Sequence, residues 1–365
     1  MRVLLFTVVT VTSAAVLILA TSTDVPVAGA ESVAYPGARP NPKELGWVAW
    51  GRDYDRAAAL SARTGKPIFL LFQEVPGCRT CVGFGETVLA HPLVVEAIES
   101  EFVPLAIHNN KGGADAAVLA RFSEPSWNNP VVRFVDAAGR DLVLRADRVW
   151  TTAAIAGRMV AALEAAGRPA PDYLRWVIEE TTASTRTATF AMHCYWTGEA
   201  CLGDIDGVVA TRAGWLDGRE VVEVEYDRAR ISEQTLRSLA GRRDCGEFVA
   251  TASRAREAGA RDRKYHLQRS TWNHVPLTPR QAARVNAAVR QRRDPSRWVS
   301  PRQRALHAQI ARALAKRRNA LAKLHRPDEV SELARYQFQL RAKLAQVLGN
   351  DRGATTSGRI VKDAP

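Results

Sequence analysis

The hydrophobic pattern in the first half of the chain alternates between short apolar runs and segments of helical periodicity. Residues 68–72 are all apolar, which is typical of a strand buried on both faces of a sheet. Residues 53–64 have helical periodicity and end at Gly65, so they predict a helix. The other predicted elements are helices at 80–90 and 93–100, strands at 102–108, 129–135 and 141–144, and a helix at 152–166. Residues 47–168 therefore predict an α/β domain.

A second domain is predicted at residues 170–285, with a different order of elements. Residues 220–226 alternate between apolar and polar side chains, which is typical of a strand with one face on a core. The other predicted elements are helices at 172–182, 194–202 and 232–239, strands at 187–192 and 207–213, and a turn at 215–218. This order predicts an α+β domain.

The last part of the chain predicts two basic helices. Leucine and isoleucine at positions 306, 310, 314, 321 and 324 form one apolar stripe, and a second stripe runs from Leu333 to Leu348. Residues 325–328 contain Pro327 and separate the stripes, so residues 286–348 predict a basic helical hairpin. Residues 349–365 predict a disordered tail.

The N-terminus has the features of an export signal. Arg2 precedes an apolar run over residues 3–20, and residues 28–30 (Ala-Gly-Ala) are small, as at a signal-peptidase site. Residues 1–30 therefore predict a cleaved signal peptide, or alternatively a membrane anchor, since the run is about long enough to span a bilayer. Residues 31–46 are rich in Pro, Gly and Ala and predict a linker. A periplasmic or secreted protein, either free or anchored, is expected.

The net charge of +13 is concentrated at the C-terminal end. Residues 254–365 contain 26 Lys and Arg against 8 Asp and Glu. A solvated helical face explains this excess, and an anionic membrane surface is the candidate partner for an exported protein. No specific nucleic-acid partner is expected.

Cys78 and Cys81 form a C-x-x-C motif after the buried strand and at the start of a helix. The helix dipole stabilises a thiolate at Cys78, and Cys81 lies one turn later, where it can close a disulfide. No His follows the motif, so covalent haem attachment is excluded, and no second C-x-x-C exists to complete a four-thiolate zinc site. We expect neither a metal nor a cofactor. A structural disulfide is the alternative to a redox role.

The context of this motif resembles the thioredoxin fold. The similarity rests on the lead-in strand, the C-x-x-C motif, the helix and an X-Pro pair that opens a later strand, and it covers about residues 47–167. The resemblance implies that Pro130 is the cis-proline that lies against the redox dithiol. Residues 75–77 (Val-Pro-Gly) stand where the family has a Trp before the first cysteine.

Cys194 lies between a predicted strand and a predicted helix, so the same dipole argument applies to its thiol. Tyr195 and Trp196 beside it provide an apolar wall that suits a small methyl-bearing group. Glu199 lies near the same helix start, where stabilising the helix dipole is a sufficient role for a carboxylate.

Three ordered motifs in the second domain resemble the core of peptide methionine (S)-S-oxide reductases. They begin at His193, Ile205 and Glu220, and residues 276–279 (Pro-Leu-Thr-Pro) resemble a later family segment. The resemblance implies a two-layer α+β fold and the reduction of oxidised methionine in proteins or peptides. It assigns Cys194 as nucleophile, Tyr195 and Trp196 as the methyl pocket, and Glu220 as the proton donor.

The second domain departs from the family pattern at several positions. His193 and Thr197 replace glycines, Arg219 replaces the His-Ala before the catalytic Glu, and the loop between Trp215 and Gly218 lacks the family's catalytic Tyr. Residues 262–265 (Asp-Arg-Lys-Tyr) correspond to a family segment that also carries a Tyr. Tyr265 is therefore the candidate substitute.

Recycling of an oxidised Cys194 requires another thiol. The candidates are Cys201, two helical turns further on, and Cys245, which lies in a predicted loop and is favoured as resolver. A small buried hydrophobe is the alternative role for each. The sequence thus predicts a sulfoxide reductase with a tethered dithiol reductant, itself re-reduced by an envelope thiol reductant. The alternatives are a thiol-disulfide oxidoreductase of envelope proteins and a non-enzymatic envelope-binding protein.

Overall fold

The computed structural model describes residues 41–349. The predicted signal peptide or anchor, linker residues 31–40 and tail residues 350–365 lie outside this range. Linker residues 41–46 are described and are packed, since a short 3-10 helix over Lys43–Leu45 buries Leu45. In the described range no single helix is long and apolar enough to cross a membrane. The helices Arg79–Thr87 and Pro92–Glu101 would meet that test together, but they are bent by 86°.

The first domain is built on a four-stranded mixed sheet. Its elements are α1 (Tyr54–Thr64), β1 (Ile68–Gln73), α2 (Arg79–Thr87), α3 (Pro92–Glu101), β2 (Val103–His108), α4 (Ala114–Arg121), β3 (Val131–Val135), β4 (Ala146–Asp147) and α5 (Thr152–Ala165). The strand order is β2-β1-β3-β4, with β1 parallel to β2 and antiparallel to β3. Every residue of β1 is buried, and alternate residues enter two separate cores, one on each face of the sheet. The uninterrupted apolar run reflects this position.

The predicted strand at 141–144 is wrong. Asp141 forms only an isolated bridge to Val135, and β4 is formed by two later residues, Ala146 and Asp147. Arg133 holds Asp141 in an ion pair, while Leu144 is 78% exposed. The apolar side chains at 142–144 therefore mimic a strand without forming one.

The second domain is built on a five-stranded antiparallel sheet in the order β8-β5-β7-β6-β9. Its elements are α6 (Asp172–Thr182), β5 (Thr185–Ala191), α7 (Tyr195–Gly203), β6 (Val208–Leu216), β7 (Arg219–Asp227), α8 (Glu233–Arg242), β8 (Glu247–Val249), β9 (Arg256–Glu257), α9 (Tyr265–Gln268) and α10 (Pro279–Arg290). One face of β5 and β7 is apolar and packs with α7 and α8 in one core. Together the two sheets give a mixed α/β and α+β architecture, as predicted.

Helix α6 does not open the second domain as predicted. Tyr173, Leu174 and Val177 lie in the core of the first domain. Its outer face reaches the second domain, where Thr278 donates a hydrogen bond to Glu180 (2.7 Å). Helix α6 is therefore a bridge between the two domains.

The C-terminal segment forms helices α11 (Pro301–Lys316) and α12 (Val330–Gly349). These helices share one apolar core with α9 and α10, and the predicted boundary at residue 285 falls inside α10. They also contact the first domain: buried Glu96 on α3 accepts hydrogen bonds from Ser300 Oγ and from the backbone N–H of Arg302. Trp47 packs against Phe338, with ring centroids 5.7 Å apart. The basic extension is thus an integral part of the packed structure.

His91, the N-cap residue of α3, supplies a testable link between pH and stability. It is buried, and burial lowers its pKa to about 4, against about 6.5 in an unfolded chain. Below about pH 6.5 the unfolded chain binds a proton that the folded protein does not bind. The free energy of unfolding should therefore fall by about 3 kcal/mol between pH 6.5 and 4 from this group alone.

We expect His91→Leu to remove this contribution, measured as the difference between the pH dependences of urea unfolding of the two proteins. Because His91 Nδ1 has no hydrogen-bond partner among residues 41–349, the substitution leaves no described partner of that atom unsatisfied. Parallel pH profiles for the two proteins would contradict this account.

Candidate active site

The first thiol site lies where β1 ends and α2 begins. Cys78 is the N-cap residue of α2 and is exposed, whereas Cys81 is completely buried. Both are free thiols, with their Sγ atoms 3.6 Å apart. The Cys81 thiol donates a hydrogen bond to Asn129 Oδ1 (2.8 Å), and the peptide bond between Asn129 and Pro130 is cis. Pro130 therefore follows directly the residue that holds the buried thiol.

The two thiols of this site differ in acidity. Hydrogen bonding from the backbone of Cys81 lowers the pKa of Cys78, which favours its thiolate. Burial raises the pKa of Cys81 to about 12. Cys78 is thus the exposed and more acidic thiol of the pair, and Cys81 is the buried and less acidic one.

Alkylation with iodoacetamide should distinguish these thiols. In a Cys194→Ser background, Cys78 should react with a pH midpoint below the usual thiol value of about 8.5, since its thiolate persists at lower pH. Cys81 should stay unlabelled at neutral pH because it is buried and protonated. Peptide mass spectrometry identifies the labelled residue, with Cys78→Ser as the control. Equally fast labelling of Cys81 would contradict the assignment.

The second thiol site lies at the start of α7. Cys194 is the N-cap residue of this helix and is a partly exposed free thiol. Glu220, next to the start of β7, accepts a hydrogen bond from the backbone N–H of Tyr195 (2.6 Å between Glu220 Oε2 and the nitrogen). The strand also holds this region in place, since the Met192 N–H donates to the Glu220 carbonyl (3.0 Å). A carboxyl group therefore lies at the helix terminus that carries the thiol.

Four aromatic rings surround this helix terminus. Tyr195 packs edge-on against Trp215 and against Trp196, with centroids 5.7 and 6.4 Å apart. Tyr265 stacks on Trp196 at 3.8 Å, and the Arg269 guanidinium covers its ring at 3.5 Å. The structure thus brings the predicted Tyr195, Trp196 and Tyr265 together at the start of α7, the helix that Cys194 caps.

Burial, followed by the carboxylates of Asp262 and Glu220 and the Cys194 thiolate, raises the pKa of Tyr195. Its hydroxyl stays protonated at neutral pH and is available as a hydrogen-bond donor. Asp262 also accepts a hydrogen bond from Trp196 Nε1 (3.2 Å). The predicted site residues do not include Asp262, although it begins the segment that resembles the family and contains Tyr265.

Glu199 has a different position from the predicted one. It lies beyond the first turn of α7, is fully buried, and forms an ion pair with Lys264 Nζ (3.1 Å). It also accepts hydrogen bonds from the Lys264 N–H (2.6 Å) and the Thr211 hydroxyl (3.2 Å). Its role is to hold the segment that carries Asp262 and Tyr265 against α7.

Cys245, the predicted resolving thiol, is not a free thiol in this structure. Cys245 forms a disulfide with Cys201, with Cα atoms 5.4 Å apart. This bond joins α7 to the loop after α8 and leaves neither sulfur as a free thiol. Cys194, Cys78 and Cys81 are the free thiols of the chain.

A cavity of about 420 Å³ lies on the other face of the second sheet. It is lined by polar strand residues, among them Thr187, Thr189 and Glu223, which alternate with the apolar residues that pack against α7. Its lining contains no thiol and no residue of the Cys194 site, so this cavity is separate from the sites of thiol chemistry.

Comparisons with known proteins give two matches. Residues 49–137 match the family model described as thioredoxin-like. The chain is also 32% identical, over 74 residues, to a peptide methionine sulfoxide reductase MsrA of Methanococcus maripaludis. The chain joins a thioredoxin-like domain to a reductase-like domain. The reductase match covers 16% of this chain and 47% of that protein, so the chain spans about half the length of that relative. A thiol-dependent oxidoreductase is the activity class that both matches share.

Proposed function

We propose that this protein reduces methionine-S-sulfoxide in peptides and proteins, with its thioredoxin-like dithiol as reductant. The observation that carries the proposal is the contact between Glu220 and the N-terminus of α7. It combines a carboxyl group, the Cys194 thiol and the Tyr195 and Trp196 rings at one helix terminus. These groups supply the acid, the nucleophile and the methyl pocket that the reaction requires.

The reductive step uses these groups in turn. The Cys194 thiolate attacks the sulfoxide sulfur, and Glu220 gives a proton to the sulfoxide oxygen. The oxygen moves to Cys194 as a sulfenic acid, and the methionine thioether leaves. Methionine sulfur is reduced by two electrons and Cys194 sulfur is oxidised by two, so the step balances. Tyr195 keeps its proton and adds a second donor for the oxygen.

The recycling step uses the dithiol because Cys201 and Cys245 are bonded to each other. The Cys78 thiolate attacks the sulfenic sulfur of Cys194, which forms a disulfide and releases water. Cys81 then attacks Cys78, which frees Cys194 as a thiol and leaves the Cys78–Cys81 disulfide. An envelope thiol reductant must return the two electrons to that disulfide.

Cys78→Ser tests this relay. With the thiols reduced beforehand and no reductant added, the variant should form one methionine per enzyme from a methionine-S-sulfoxide peptide, since Cys194 remains. The wild type should form two, because its dithiol regenerates Cys194 once. Product per enzyme in a burst assay measures this, and equal values for the two proteins would contradict the dithiol as reductant. Mixing Cys78→Ser with Cys194→Ser protein tests whether electrons pass within one chain, in which case the mixture forms no more product than Cys78→Ser alone.

We also propose that the protein works outside the cytoplasm. The apolar run at residues 3–20 and the small residues at 28–30 support export.

Exposed cations on and after α11, including Arg312, Arg317 and Arg318, support contact with anionic lipid. Salt-sensitive binding to anionic vesicles, absent for neutral vesicles, is the test. Salt-independent or absent binding would contradict the lipid contact.

A thiol-disulfide oxidoreductase of envelope proteins is the second candidate. Two exposed tryptophans favour it: Trp127 is 80% exposed, and Trp150 is 42% exposed and donates a hydrogen bond to the Pro130 carbonyl (3.3 Å). Trp127 lies three residues before Pro130 in sequence, and Pro130 follows Asn129, which accepts the hydrogen bond of the buried Cys81 thiol. A protein partner at the dithiol could therefore contact both tryptophans. Reduction of a protein disulfide without any sulfoxide reduction would decide for this candidate.

A further inference from the structure

Three side chains with metal-binding atoms meet at the dithiol. The Glu74 carboxylate and the Cys78 and Cys81 sulfurs all lie within 4.8 Å of one another. Glu74 follows β1 directly, and the chain then turns tightly at Gly77, where a Cβ would meet the Glu74 carbonyl oxygen at 2.2 Å. Glycine at this position therefore permits the close turn between Glu74 and Cys78. Within residues 41–349 this is the one cluster of three such side chains.

The separation of these atoms suits a small thiophilic cation. With Zn–S bonds of about 2.3 Å and Zn–O bonds of about 2.1 Å, tetrahedral geometry puts two sulfurs about 3.8 Å apart and each sulfur about 3.6 Å from the oxygen. The observed distance between the sulfurs is 3.6 Å, which needs almost no movement. The oxygen-to-sulfur distances require at most a side-chain adjustment of Glu74, which is only half-buried.

We propose that the reduced dithiol and Glu74 bind one Zn²⁺ ion and that this binding blocks thiol exchange. The ligands are two thiolates and one carboxylate, which leaves a fourth position open for water. As the two Zn–S bonds form, each thiol releases its proton to the buffer, and no electron is transferred. The Cys78–Cys81 disulfide has no thiolate to offer, so zinc binding and oxidation exclude each other.

The surroundings of the site support coordination. Cys78 is exposed, which gives the ion an entry path. Asn129 Oδ1 accepts a hydrogen bond from the Cys81 thiol (2.8 Å between sulfur and oxygen). When the thiol loses its proton, the same amide can turn and donate an N–H to the thiolate. This site differs from the four-thiolate type, which the sequence excludes, because a carboxylate takes the third position.

A competition titration of the full chain with Zn²⁺ and a chromogenic chelator tests the proposal. The protein used carries the Cys194→Ser substitution. Its dithiol is reduced and the reductant is then removed, so Cys78 and Cys81 are its free thiols. We expect binding of one equivalent, weakening of about tenfold or more in Glu74→Gln, and about a hundredfold or more in Cys78→Ser. The matched control is Glu86→Gln. Glu86 lies on α2, and its exposed carboxylate pairs with Lys43, so this variant should bind Zn²⁺ as tightly as the parent does.

Substitution by Co²⁺ gives a second readout that folding defects do not mimic. A thiolate-to-metal charge-transfer band should appear in the reduced parent and disappear in the oxidised protein. Unchanged affinity in Cys78→Ser, or binding by the oxidised dithiol, would overturn the site, and unchanged affinity in Glu74→Gln would remove the carboxylate from it. Sulfoxide turnover is measured separately with zinc removed, so failure of the metal site and failure of the proposed reductase activity are distinguishable.

Discussion

Replacing Cys194 with serine is expected to lower the single-turnover rate of methionine-S-sulfoxide reduction about a thousandfold or more. A serine hydroxyl is not ionised at neutral pH and cannot carry the oxygen as a sulfenic acid. The measurement is methionine formed from an S-sulfoxide peptide in single turnover, so recycling does not enter the result.

The Cys194→Ser variant should keep its fold. Cys194 is partly exposed, and no hydrogen bond of its side chain contributes to the cap of α7. Its thermal unfolding should therefore match that of the wild type, in contrast to a variant that removes the Cys201–Cys245 disulfide. Activity within tenfold of the wild type would show that another group attacks the sulfoxide.

Glu220→Gln is expected to lower the single-turnover rate by about 10²- to 10⁴-fold. The amide cannot give a proton to the sulfoxide oxygen. It can still accept the hydrogen bond from the Tyr195 N–H, so the start of α7 stays in place. The loss should therefore appear in the rate of the chemical step, with peptide affinity nearly unchanged.

Glu225→Gln is the matched control for this result. Glu225 lies on the same strand, in the cavity on the opposite face of the sheet, and its partner is Arg212 (3.6 Å). It should leave the rate unchanged. Equal losses in both variants would mean that the effect is a general one of charge or stability, and an unchanged rate in Glu220→Gln would remove the carboxyl from the proton transfer.

Local sequence patterns predicted those parts of the fold that local forces decide. The apolar run of β1 predicts a strand buried on both faces, and Ser232 caps α8 through its hydroxyl, which accepts from the Thr235 N–H (3.1 Å). The two cysteines at helix starts are likewise local features, since Cys78 and Cys194 are both N-cap residues.

Long-range packing decided the parts that the sequence did not predict. The Glu199–Lys264 pair joins residues 65 positions apart, and the partner of a buried carboxylate at that distance has no local signature. The Cys201–Cys245 disulfide closes a gap of 44 residues in the same way. Helix α6 is amphipathic, but its pattern does not say which of two neighbouring cores receives Tyr173 and Val177.

Trapping the relay in Cys81→Ser protein tests the central claim most directly. The reduced variant is mixed with one equivalent of a peptide that carries either the S or the R epimer of methionine sulfoxide, and its disulfides are mapped by mass spectrometry. The account predicts reduction of the S epimer only, with a Cys78–Cys194 disulfide that persists because Cys81 is absent. A Cys194 disulfide with Cys201 or Cys245, or no reduction of either epimer, would contradict it.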